Sequence, residues 1–99
     1  MGVRVAVKLK VVLGEKLLGW QVFVNKRPIY KFDEAFEAEL DFLTAGDNEL
    51  SVSVRGTGAK IDVSIDSGAR LTEPGKTWPF TVSVPRNRTG ADKGVMFRL

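Results

Sequence analysis

Any chemistry in this chain must come from carboxylates, bases, hydroxyls and aromatic rings, because it contains neither cysteine nor histidine. Histidine is the side chain most used for proton transfer near neutral pH and the commonest metal ligand, and cysteine supplies the thiolate nucleophile and the soft metal ligand. Ser-His-Asp and Cys-His catalysis, disulfides, and zinc or iron held by imidazole or thiolate are therefore impossible within the chain. The expectation is a protein that is not an enzyme and carries no metal and no cofactor.

Five stretches still have residue types whose spacing suggests a site. Arg86-Asn87-Arg88-Thr89-Gly90-Ala91-Asp92-Lys93 gathers three bases and one acid, a polar segment suited to phosphates or to an acidic partner. Its candidate contact residues are Arg86, Asn87, Arg88 and Lys93, and Asn87-Arg88-Thr89 is also a glycosylation sequon, meaningful only in a secreted eukaryotic chain. Trp20, Tyr30, Trp78 and Phe80 offer flat apolar faces of the kind that stack on sugars or bases. Trp20 and Phe80 fall on inward parity; Trp78 shares the parity of Phe80 but stands at a strand entrance beside Pro79 after a long loop, and it and Tyr30 are the candidates for a ligand surface. Arg55-Gly56-Thr57-Gly58-Ala59-Lys60 brings glycines close enough together to admit an anion to the backbone N–H groups, but it completes neither phosphate-binding spacing, and a tight link between strands explains it with less assumption. Asp62 to Glu73, DVSIDSGARLTE, has the acidic spacing of a calcium loop, but Ser67 stands where such a loop needs glycine. Glu37, Glu39 and Asp41 form a row of acids without the cleft that would set two carboxylates against one another for glycoside hydrolysis.

The elements that must position these residues are read from alternation. Val3, Val5, Val7, Leu9, Val11 and Leu13 share one parity, with Arg4, Lys8 and Lys10 on the other, as in a half-buried strand. Leu17 to Asn25 supplies a second strand with Trp20, Val22 and Val24 inward. Asn25-Lys26-Arg27-Pro28 reads as a turn, with Pro28 interrupting pairing. Ile29 to Phe32 re-enters as a short strand. Leu43 to Asn48 reads as another turn. Leu50, Val52 and Val54, then Ile61, Val63 and Ile65, then Phe80, Val82 and Val84, and finally Val95, Phe97 and Leu99 mark further strands. Ser67 to Thr77 and Pro85 to Gly94 read as long irregular loops.

The stretch FDEAFEAELDFL, Phe32 to Leu43, fits two structures. As a helix it sets Phe32, Ala35, Phe36, Leu40 and Leu43 on one stripe; as a strand it turns Phe36, Ala38, Leu40 and Phe42 inward and Glu37, Glu39 and Asp41 outward. Strands surround it, and agreement between local and global pattern favours strand.

The pattern VFVNKRPI, a gap, then AFEAELDFLTAGDNELSVSV resembles the recurring core of bacterial immunoglobulin-like modules. Val24, Asn25, Phe36, Leu40, Gly46, Asn48, Leu50 and Val52 carry the likeness, which covers roughly a third of the chain. The chain departs from the pattern at Lys26, where such modules commonly have glycine, and at Asp33 to Ala35, where they often have an Asp-Gly turn. The resemblance implies an all-β fold, an antiparallel immunoglobulin-like β-sandwich of seven to eight short strands, of the kind that serves as a spacer or assembly part.

Ninety-nine residues correspond to one domain spanning 1–99. The N-terminus alternates charged and apolar residues instead of segregating them as a secretory signal does. No apolar run approaches the roughly 20 residues of a spanning helix, so no membrane insertion is expected. The net charge of +3 is unevenly laid out, with seven bases and one acid in residues 1–32, seven acids and no base in 33–49, and eight bases and four acids in 50–99. That distribution favours acidic and basic strands side by side over one basic face. The function expected is a non-catalytic interaction or structural module that meets another protein through its loops or an edge strand, the latter also permitting a homo-oligomer. The alternatives are a carbohydrate-binding module using Trp78 and Tyr30, and a nucleic-acid-binding β-barrel using Arg86, Arg88 and Lys93.

Overall fold

The computed structural model describes residues 4–29, 36–66 and 68–99, and for 4–6, 36–39 and 41 it describes the backbone alone. Nine strands follow one another, with no helix among the described residues: β1 Arg4–Leu13, β2 Gly19–Val24, β3 Arg27–Ile29, β4 Phe36–Thr44, β5 Asp47–Arg55, β6 Lys60–Ile65, β7 Arg70–Leu71, β8 Phe80–Ser83 and β9 Gly90–Arg98. They form two antiparallel sheets, one ordered β4-β1-β6-β8 and the other β3-β2-β5-β9-β7. No helix among the described residues is long and apolar enough to cross a membrane.

Period-two alternation builds the core. Val7, Leu9 and Val11 of β1, Ile61, Val63 and Ile65 of β6, and Val82 of β8 turn inward from one sheet; Val22 and Val24 of β2, Leu50, Val52 and Val54 of β5, and Phe97 of β9 meet them from the other. All are nearly or fully removed from water, and burial on this scale is the main favourable term in folding.

The strand reading of the ambiguous stretch holds for Phe36–Thr44, which pairs with β1. This register sets Lys8 opposite Glu39 and Lys10 opposite Glu37, so acidic and basic strands do lie side by side. The parity expected for Phe42 needs correction. Between Val5 and Val7 the register shifts, so that Val5 faces Leu43 while Val7 faces Leu40. The extra residue is a β-bulge on β4, and a bulge reverses the parity beyond it. Leu40 and Leu43 are both buried, and Phe42 is half-buried at the margin. There the Arg27 guanidinium lies 4.3 Å from the centre of its ring, bridging the neighbouring edges β3 and β4. The side chain of Phe36, expected in the core, lies outside the described residues.

Other boundaries also move. The turn expected over Asn25 to Pro28 occupies Asn25 and Lys26 alone, both at positive φ. Arg27 and Pro28 belong to β3, an edge strand where the missing N–H of proline is tolerated. The turn expected over Leu43 to Asn48 contracts to Ala45 and Gly46. Gly90 to Gly94, expected in a loop, forms the first half of β9 and pairs residue for residue with Arg55 to Ser51. Arg70 and Leu71, inside the other expected loop, pair with Arg98 and Phe97. The count among the described residues is thus nine strands rather than seven or eight.

Candidate interaction surface

The connections 14–18, 56–59 and 84–89 meet at one end of the two sheets, where backbone hydrogen bonds join them. Gly14 N–H donates to Lys60 O (2.8 Å) and Leu18 N–H to Arg55 O (2.9 Å), tying the first connection to the strands that flank the second. Gly56 N–H donates to Thr89 O (2.9 Å), Gly58 N–H to Val84 O (3.1 Å) and Val84 N–H to Ala59 O (2.8 Å), tying the second connection to the third. The Thr57 hydroxyl adds a bond to Arg88 O at 2.8 Å.

Two glycines let the connections close this tightly. A Cβ on Gly14 would stand 2.6 Å from Lys60 O; one on Gly56, whose φ is +127°, would stand 2.3 Å from Lys16 O. Only glycine fits such approaches. The same bonds explain why the glycines of Arg55 to Lys60 do not cradle an anion. The amides of Gly56, Gly58 and Ala59 all donate to carbonyl groups, the last to Gly56 O.

On this fixed base stand Lys16, Arg55, Lys60, Arg86 and Arg88, all exposed, with Glu15 the one acid among the described residues of the three connections and their flanking strand ends. None of the five bases is paired with a carboxylate among the described residues. Leu18, 87% exposed, is the most exposed of the large hydrophobic side chains described. An apolar side chain amid uncompensated positive charge on a rigid base suits an anionic partner surface that also offers an apolar contact.

The expected site residues are only partly brought together. Arg86, Asn87 and Arg88 stand on this end. Lys93 sits in the middle of β9, on the parity of Ala91, Val95 and Phe97, yet is exposed. Trp78 lies towards the other end: its indole N–H donates to Ala69 O at 2.8 Å and its ring meets Phe97 edge-on at 6.1 Å. The indole is half-buried against the core, the arrangement of a side chain that closes the gap between two sheets. Tyr30 lies outside the described residues. The sequence marks Arg55 and Lys60 only as the bounds of the glycine stretch and does not mark Lys16 or Leu18, although each of the four sits beside a glycine-containing turn, the signal that gathers them.

The acidic stretch Asp62 to Glu73 serves pairing. Asp62 accepts from the Thr81 hydroxyl across β6 and β8 (2.6 Å), and Asp66 accepts from the Lys8 amide (2.7 Å). Among the described residues no three acids come close enough to hold a metal ion.

No protein-family model, no curated protein and no solved structure matches the chain.

Proposed function

We propose that this chain is a non-catalytic interaction module whose working surface is the basic end built from the connections 14–18, 56–59 and 84–89, and whose partner is another protein with an acidic face. The observation that carries this reading is the union of a hydrogen-bonded base with Leu18 and five exposed cations, none of them paired with a carboxylate among the described residues. A surface fixed before binding loses little conformational freedom on association, and its charge raises the encounter rate with an acidic face. The absence of histidine and cysteine from the chain supports the non-catalytic part.

An immunoglobulin-like architecture is the framework we infer. Strand order supports it: β1 beside β4 and β2 beside β5 follow the adjacencies of strands B with E and C with F, with β3 flanking β2 as C′ does and β9 flanking β5 as G does. The departure is β6, which takes the place of strand A beside β1 but is reached after β5.

The test is affinity capture from extracts of the source cell, using the wild-type protein and the double variant R86E/R88E, with immobilised DNA as a parallel probe. A defined protein retained by the wild type and lost from the variant supports the reading. Capture indifferent to the two substitutions sinks it. So does retention on DNA that collapses steeply with salt, the mark of phosphate-driven binding.

A further inference from the structure

Gly94 raises a question that the fold does not answer. It sits in the middle of β9, where glycine weakens a strand by roughly 0.5–1 kcal/mol relative to alanine. Gly14 and Gly56 are required by close approaches, and four other glycines, Gly46, Gly58, Gly68 and Gly75, stand at positive φ. Gly94 has neither reason: its φ is not positive, and an added Cβ would meet Leu50 O and Ser51 Oγ at 3.7 Å each, ordinary contact distances. A mid-strand glycine that packing does not require often marks a place where something outside the fold comes close.

The surroundings of Gly94 say what that would be. Gly94 pairs with Ser51, which pairs with Phe23. All three alternate with inward residues, so they share the solvent face of the five-stranded sheet. Adjacent strands lie about 4.8 Å apart, and without a side chain at 94 a shallow groove of about 330 Å³ opens beside the half-buried Phe23. Ser53 and Asp92, the next pair along the same face, border it. The Ser53 hydroxyl donates to Asp92 Oδ1, which fixes the carboxylate and leaves its other oxygen to accept from a ligand. Lys93 borders the groove too, but its parity turns its side chain to the opposite face.

We propose that this groove binds the ring of a neutral carbohydrate, with the apolar face of the sugar on Phe23, its edge over Ser51 and Gly94, and a hydroxyl donating to Asp92. An aromatic wall beside hydroxyls and a hydrogen-bond acceptor, in a shallow open groove, matches a ligand that is apolar on its faces and hydroxyl-rich at its rim. The carboxylate selects against phosphorylated or carboxylated ligands and favours a hydroxyl donor. Strands hold the contributing side chains, which keeps their spacing fixed. The proposal is independent of the basic end.

Affinity electrophoresis through gels containing soluble β-glucan, xylan, mannan or α-glucan tests it with four proteins: wild type, Phe23→Ala, Gly94→Val and R86E/R88E. Gly94→Val is the incisive variant, because valine suits a strand and the added atoms have room in the fold but fill the groove. The expected result is retardation of the wild type by at least one polysaccharide, weakened about tenfold or more in Phe23→Ala and Gly94→Val and unchanged in R86E/R88E. No retardation by any of the four overturns the proposal, as does a folded Gly94→Val protein that is retarded like the wild type.

Discussion

Asn48 is the one polar side chain buried outright among the described residues, 2% exposed. Its amide donates to Thr44 O and Gly46 O, both at 3.1 Å, and its carbonyl oxygen accepts from Asn25 Nδ2 at 2.8 Å. Asn25 in turn accepts from the Glu49 amide at 2.8 Å. Two turns far apart in sequence are thus held by one side-chain pair, and both asparagines belong to the pattern that prompted the immunoglobulin-like comparison. Asn48→Ala removes the partner of Asn25 Nδ2 and the bond to Thr44 O, while Gly46 O keeps the Leu99 amide, and should cost about 1–3 kcal/mol, read as a lower urea midpoint with unchanged slope. Lys26, at φ +65°, occupies a conformation that costs a side-chain-bearing residue about 1–2 kcal/mol. Lys26→Gly should therefore raise the urea midpoint, and a lowered midpoint would show that the lysine side chain contributes more than its strain costs.

At the scale of elements, the bulge on β4 separates two neighbouring residues that simple alternation ranks the other way. Leu43 is fully buried, whereas Phe42 is half-buried beneath Arg27. Leu43→Ala should cost about 2–5 kcal/mol, the range for truncating a core leucine, and Phe42→Ala clearly less; equal costs, or the reverse order, would remove the bulge. Alternation made β1, β2, β5 and β6 legible because each has one face in the core. It failed for the first half of β9, where Gly90, Asp92 and Gly94 lie outward and Ala91 and Lys93 inward, a pattern with no apolar signal. Pairing along the whole of β5 imposes that strand, and pairing partners are not written in local sequence. The basic end was half legible: Arg86 to Arg88 stood out as a run, but Lys16, Arg55 and Lys60 join them only because three connections close on one another.

Across the whole molecule, principal extents of 45 × 29 × 19 Å separate two ends with different construction. One carries the Asn25–Asn48 pair and the mutual backbone bonds of Gly46 and Leu99. The other carries the cations and Leu18. Gly56→Ala acts at this second end, since a Cβ 2.3 Å from Lys16 O at φ +127° forces the connections apart. It should lower stability by about 1–3 kcal/mol or more in thermal or urea unfolding, while Gly94→Ala should be neutral or stabilising.

Amide hydrogen exchange at the three connections tests most directly whether they form one fixed surface. The amides of Leu18, Gly56, Gly58 and Val84 lie outside the strands yet donate to Arg55, Thr89, Val84 and Ala59 carbonyls. They are predicted to exchange as slowly as Val52 and Val63 in the core strands, while Arg86 and Asn87, exposed in the third connection, exchange fast. Exchange of those four amides at unprotected rates, with the strand amides still protected, would contradict the preformed basic end.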